Sequence, residues 1–272
     1  MNFILAILKI FNTQSAIPTP FGPYHIFCIV LVCLMSVYAI RRGKHHDERK
    51  IRKVLLYTAI MVLSLETYKQ INYTFGDGTS APQYLWYAFP FQFCSTPMYV
   101  GLLAALLPKG KLHDAMCAYL STYAVFAGFC VMMYPNDVFT YILGINIQTM
   151  VWHGSMVVIG LYLIGAGYVK LEGRTVLKAM PVFATCVAIA AVMNEVAHRA
   201  GIGDFNMFFI SPYQASTLPV YSLIHDAVPF PVNLAIYVLG FSVAAYLVIC
   251  ICRSVRYLWT KLHIRSKVPA YR

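Results

Sequence analysis

Charge is scarce in this chain, and acidic charge is scarcest. Only 11% of its 272 residues are charged, and ten acidic residues stand against 21 basic ones. Soluble domains carry about a quarter charged residues, so this chain has too few to cover a water-facing surface. Long polar stretches are missing too, which leaves no room for a soluble domain. Cysteine is present but never grouped. Cys28, Cys33, Cys94, Cys117, Cys130, Cys186, Cys250 and Cys252 all fall within apolar segments, where free thiols act as small hydrophobes. No set of them has the spacing of metal ligands, so neither a metal nor a zinc site is expected. The last apolar run, 232–256, contains no Lys, which excludes a retinal Schiff base there.

What is abundant is apolar surface. The chain is 60% hydrophobic and 15% aromatic, as suits a bilayer with Trp and Tyr at its interfaces. A spanning helix needs about 20 mostly apolar residues. Such runs predict seven spans, at roughly 24–41, 53–74, 84–107, 113–134, 147–169, 176–199 and 232–256. The expected fold is an all-α polytopic membrane protein, a single domain over 1–272. Residues 1–12 read as an interfacial helix or an uncleaved signal-like segment. With seven spans, eighteen of the 21 basic residues fall on one side, leaving Lys9, Lys69 and Arg199 on the other. The positive-inside rule makes the crowded side cytoplasmic. The N-terminus is then outside and the C-terminus inside, and the expected location is the cell membrane. The same placement in short loops assigns the net charge of +11 to topology and argues against nucleic acid as a partner.

The connection at 200–231 is long yet rich in Phe, Tyr and Pro. It reads as an outer capping segment packed over the bundle, since irregular backbone survives at membrane depth only when buried in protein or lining a cavity. Glu66-Thr-Tyr-Lys69 before Gly76-Asp77 echoes Glu195-Val-Ala-His198 before Gly203-Asp204. That echo would fit a parallel repeat of three spans on either side of a fourth.

Polar residues within spans are costly and mark cavities or sites. Here they are Glu66, Lys69, Gln92, Cys94, His153, Asn194, Glu195 and His198. Counted from the span ends at about 1.5 Å per residue, all lie at one depth, in the half of the bilayer away from the basic loops. They predict one polar cavity roofed by 200–231. Glu66 with Lys69, and Glu195 with His198, sit at i and i+3, where pairing is the plain explanation. Asn194 suits a bond to another helix. His153 has no charge near it on its own helix. Cys94 lies between Pro90 and Pro97, which interrupt the helix on either side. A Cys facing a His at equal depth is an arrangement for a thiolate nucleophile and its base.

Three short motifs resemble a known family. Phe89-Pro90-Phe91-Gln92-Phe93-Cys94 resembles the Leu-Pro-Leu-His-Leu-Cys signature of the YwaF-like integral membrane proteins, and Trp152-His153-Gly154 resembles their His-Gly in the fifth span. Asn194, then Gly203-Asp204-Phe205-Asn206, Pro212 and Ser216, is similar to their closing pattern. Gln92 stands where that family commonly has His. The resemblance reaches the transmembrane protein 164 acyltransferases. It implies that Cys94 carries an acyl chain transferred between phospholipids and that His153 is its base. Asn194 and Asn206 would orient His153 or donate to the oxyanion, with no cofactor. Membrane lipids are then the expected partners, and a homo-oligomer is compatible with the composition. A small-solute transporter using Glu66, Lys69 and Asn194 is the alternative, and a receptor or scaffold with a lipid-binding basic tail is a third.

Overall fold

The computed structural model describes residues 12–76, 83–225 and 227–265; the expectation for residues 1–12 therefore falls almost wholly outside them. Among the described residues there is no strand, only an isolated bridge between Gln14 and Ile142. The helices are α1 (Pro23–Gly43), α2 (Glu48–Phe75), α3 (Thr96–Leu106), α4 (Lys111–Ser121), α5 (Tyr123–Met133), α6 (Leu143–Gly165), α7 (Gly173–Arg199), α8 (Ser222–His225) and α9 (Phe230–Arg265). Single 3-10 turns occupy Trp86–Ala88 and Met207–Phe209.

Among the described residues, five stretches are long and apolar enough to cross a membrane: α1, α4 with α5, α6, α7 and Phe230–Leu262 of α9. Their burial differs in a telling way. Of the apolar window of α4–α5, 72% is buried within the protein, against 17% for α1 and 17% for α9. The two peripheral helices expose Phe27, Leu34, Leu239, Val243 and Ile251, an apolar surface that water would not tolerate and lipid would. In the middle, α6 packs on α1, α2, α4 and α5, while α4 also meets α3 and α7, and α9 lies against α5 and α7.

Two of the expected spans depart from a plain helix. The stretch 84–107 is α-helical only over Thr96–Leu106. Proline is the reason. It lacks an N–H and clashes with the preceding turn, but it is tolerated in a first turn, and the helix accordingly starts with Pro97 in that turn. Span 113–134 is broken at Thr122, with φ −129° and ψ −80°. The Thr122 hydroxyl donates to Ala118 O at 2.7 Å, so the break leaves that carbonyl satisfied. The second expected span, α2, is continuous for 28 residues and capped by Asp47, which accepts from Lys50 N at 2.9 Å. Its Glu66, Lys69, Gln70 and Asn72 keep it out of the apolar five.

α6 is drawn close against the Thr122 break by Gly160. A Cβ there would stand 2.6 Å from Leu120 O and 2.1 Å from Val125 Cγ2. Small residues permit such approach in membrane bundles, where dispersion rather than the hydrophobic effect holds helices together. Gly101, in α3, has open space around its Cβ position. Gly160→Ala is therefore expected to cost about 2 kcal/mol through forced backbone movement, and Gly101→Ala nothing. Thermal unfolding in detergent should show a lowered midpoint for the first variant alone.

Candidate active site

The interrupted backbone before α3 leaves main-chain groups without helical partners, and side chains take them up one by one. Ser95 N and Thr96 N both donate to Gln92 O, at 2.8 and 3.2 Å, making a tight turn over Gln92–Ser95 with Cys94 inside it. The Thr96 hydroxyl donates to Phe93 O at 2.8 Å and lies 2.6 Å from the Tyr119 hydroxyl. Tyr99 OH donates to Pro90 O at 2.9 Å. Trp152 Nε1, on α6, donates to Cys94 O at 2.8 Å. The Phe93 ring anchors the turn among Phe183, Phe208 and Phe241, with centroids 5.0 to 5.8 Å away.

The segment after α7 is fastened to the same turn. Gln92 Nε2 donates to Asn206 O at 3.0 Å, and Gln92 Oε1 accepts from Phe208 N at 2.8 Å. Asn194 works in parallel from α7: its Nδ2 donates to Met207 O at 3.0 Å and its Oδ1 accepts from Met207 N at 2.7 Å. From α9, Tyr237 OH donates to Phe208 O at 3.0 Å. These bonds hold Phe208 and Phe209 at φ +59° and +56°, a left-handed region that costs bulky residues about 1–3 kcal/mol each. Asn206 Oδ1 accepts from Ser211 N at 2.9 Å.

The amides of Asn194 and Asn206 thus bind main chain in this segment, and both arms of Gln92 do the same. The expectation that Asn194 orients His153 or faces an oxyanion is corrected by these bonds, while for Asn206 they engage Oδ1 alone. His153 Nδ1 instead lies 2.8 Å from Thr149 O, on its own helix. A carbonyl can only accept, so Nδ1 carries the hydrogen and Nε2 of the neutral ring is the free base. That Nε2 is buried and has no hydrogen-bond partner. It follows that the resting structure holds no bond between His153 and the Cys94 thiol.

Charge enters the site from α2. Lys69 Nζ pairs with Glu66 Oε1 at 2.9 Å and stands 6.0 Å from the centroid of the Trp152 ring, within cation–π reach. Gln70 Nε2 bridges Glu66 Oε1 and Ala88 O, at 2.7 Å each, and Tyr84 OH donates to Gln70 Oε1 at 2.9 Å. One continuous string of contacts therefore joins Glu66, Lys69, Trp152, Cys94, Gln92, Asn206 and Asn194. Gln70 and Tyr84 were not among the candidates read from sequence, and Trp152 appeared there only within a motif.

Glu195 and His198 are not part of this string. Glu195 pairs with exposed Arg199 at 2.7 Å and accepts from the Tyr213 hydroxyl, and that carboxylate holds the phenol above its ordinary range. The His198 ring stacks on Tyr213 at 3.5 Å between centroids. A Cys–His contact does occur elsewhere: Cys117 Sγ is 3.6 Å from His113 Nε2. Its geometry is structural, because His113 Nδ1 faces Ala104 O at 2.9 Å and its Nε2 faces Tyr168 OH at 2.7 Å.

These helices and their polar seam define a multi-pass helical membrane protein. The particular family follows from a family-model match to the TMEM164 family over residues 20–262, and the chain belongs to that family. No curated protein and no solved structure matches it.

Asn194→Ala should leave the Met207 N–H buried without a partner and its C=O with only the long bond from Ile210 N at 3.5 Å, at a cost of about 2 kcal/mol. Hydrogen exchange over residues 207–210 is expected to rise in that variant, while exchange in α1 stays unchanged.

Proposed function

We propose that the protein is a membrane-embedded acyltransferase that moves a fatty acyl chain between phospholipids through a thioester on Cys94, with His153 as base. One observation carries the reading. Cys94 lies in a turn just ahead of α3, its carbonyl is gripped by Trp152 of α6, and the next residue of α6, His153, is a buried imidazole with a free Nε2. TMEM164 family membership and the YwaF-like motifs around Cys94 and His153 support it. In this reading the chain crosses the cell membrane seven times, with the N-terminus outside. α2 and the 84–107 stretch supply the two crossings beyond the five apolar ones.

Chemically, the thiolate rather than the thiol is the nucleophile, so Cys94 needs a base. No main-chain carbonyl among the described residues accepts from the Cys94 N–H, which leaves it free to donate to an oxyanion. His153 Nε2 takes the thiol proton and the sulfur attacks the donor lipid's ester carbonyl. As the C–S bond forms, the ester C–O bond breaks, and the proton leaves with the lysolipid oxygen. A second lipid's hydroxyl then attacks the thioester, the C–S bond breaks, and its proton returns to the sulfur. Approach of Nε2 to the sulfur belongs to the substrate-bound state, where catalytic contacts tighten.

The test is intact mass of purified protein incubated with phospholipid in detergent. Wild type is expected to gain one hydroxylamine-sensitive acyl mass. Cys94→Ala should gain none, and His153→Ala should acylate about a hundredfold more slowly. A wild type that stays unmodified under every lipid condition, indistinguishable from Cys94→Ala, overturns the proposal and leaves the polar seam as a solute path.

A further inference from the structure

Beside the thiol turn, between α2 and residues 90–99, lies a groove of about 340 Å³ walled by Leu63, Glu66, Gln70, Pro90, Met98 and Tyr99. Its volume is at the small end of ordinary ligand sites, about 300–1,000 Å³, enough for part of a lipid. The rim is apolar: Leu63, Phe75 and Tyr99 are exposed, and Leu63 continues an exposed stripe of Tyr57, Ile60 and Met61 along α2. Exposed Thr67 lies on this rim with its hydroxyl committed to Leu63 O at 3.0 Å, so an aqueous solute would find few free polar groups at the mouth, whereas a lipid could slide in from the side.

One polar atom of the wall is left over. Glu66 is 3% exposed, and its Oε1 receives both Lys69 and Gln70. Its Oε2 is buried without a hydrogen-bond partner. A buried carboxylate oxygen left unpaired carries a desolvation penalty, which a hydrogen-bond donor in the groove would remove. A carboxylate can only accept, so the missing group must donate.

We propose that this groove binds the acyl acceptor, a glycerolipid with a free hydroxyl that donates to Glu66 Oε2. The assignment rests on the acyltransferase reading and names that reaction's second substrate. Glu66 holds the hydroxyl beside the Cys94 turn, and the apolar rim receives the lipid's chain. In the transfer step the hydroxyl oxygen bonds to the thioester carbon, the C–S bond breaks, and the hydroxyl proton ends on the sulfur. Lys69 and Gln70 are both held by Oε1 of the same carboxylate, which leaves Oε2 to accept from the hydroxyl.

The test uses lysophosphatidylcholine with a diazirine in its acyl chain, on full-length protein in nanodiscs. The only hydrogen-bond donor of this lipid is its free glycerol hydroxyl, and the 2-O-methyl analogue has none. Photolabelling is expected within residues 63–75 of wild type, weaker by about tenfold with the 2-O-methyl analogue and in Glu66→Gln. Thr67→Trp, which fills the exposed rim and leaves the Glu66–Lys69 pair in place, should abolish it. In parallel, Thr67→Trp should acquire the acyl mass on Cys94 at the wild-type rate and discharge it to lysophosphatidylcholine about tenfold more slowly. Labelling elsewhere, or equal labelling by the 2-O-methyl analogue, overturns the assignment even if Cys94 acylates normally. Hydroxyl-dependent labelling of the groove without any acylation of wild type would keep the lipid site and remove the acyltransferase reading.

Discussion

Unpaired main chain at membrane depth is the constraint on which the rest of this structure depends. In lipid no water satisfies a stray N–H or C=O, and each one left bare costs several kcal/mol. Pro90 and Pro97 create such groups before α3, and the left-handed residues Phe208 and Phe209 create more. The protein answers with side chains rather than with helix. Thr96, Tyr99 and Trp152 close the carbonyls of Phe93, Pro90 and Cys94, while Gln92, Asn194 and Tyr237 close residues 206–208. Polar residues in the bundle are thus first of all replacements for lost helical bonds.

That accounting separates two kinds of buried polar group. Gln92 and Asn194 have both arms of their amides committed to main chain, and Asn206 commits its Oδ1; their part is to build the site. The thiol of Cys94, Nε2 of His153 and Oε2 of Glu66 stand apart. The last two are buried and unpartnered, and such atoms are few in a well-satisfied fold. Glu66 lines the groove between α2 and residues 90–99, and His153 follows the Trp152 that holds the Cys94 carbonyl.

Much of this was legible in sequence, and for a physical reason. Apolar runs and the placement of Lys and Arg record the cost of charge in lipid, which acts on each segment independently of its neighbours. The five apolar helices and the break at Pro90 and Pro97 could therefore be read locally. Gln92 and Asn194 could be seen as out of place but not understood, because Gln92 meets main chain more than a hundred residues away. Glu66 and Glu195 show the opposite difficulty. Each begins a similar Glu-x-x-cation pattern, yet Glu66 is sealed beneath α3's approach segment and Glu195 sits on the surface with Arg199. Burial is decided by which helices pack together, and a short pattern does not carry that. The Cys117–His113 contact was missed because i, i+4 neighbours in an apolar run look like packing, which in this case is their role.

The double grip of Gln92 has a mechanical corollary. This residue lies two positions before Cys94 and is bonded through both arms to the chain at 206–208, which α7 and α9 hold in turn through Asn194 and Tyr237. Ceiling and thiol turn are riveted into one body, so lifting the ceiling would drag the sulfur away with it. A hatch hinged above Cys94 would have to break both Gln92 bonds to open. In the acyltransferase reading, a lipid would therefore reach Cys94 through the wall of the bundle, by a side door whose jambs are α2 and α3.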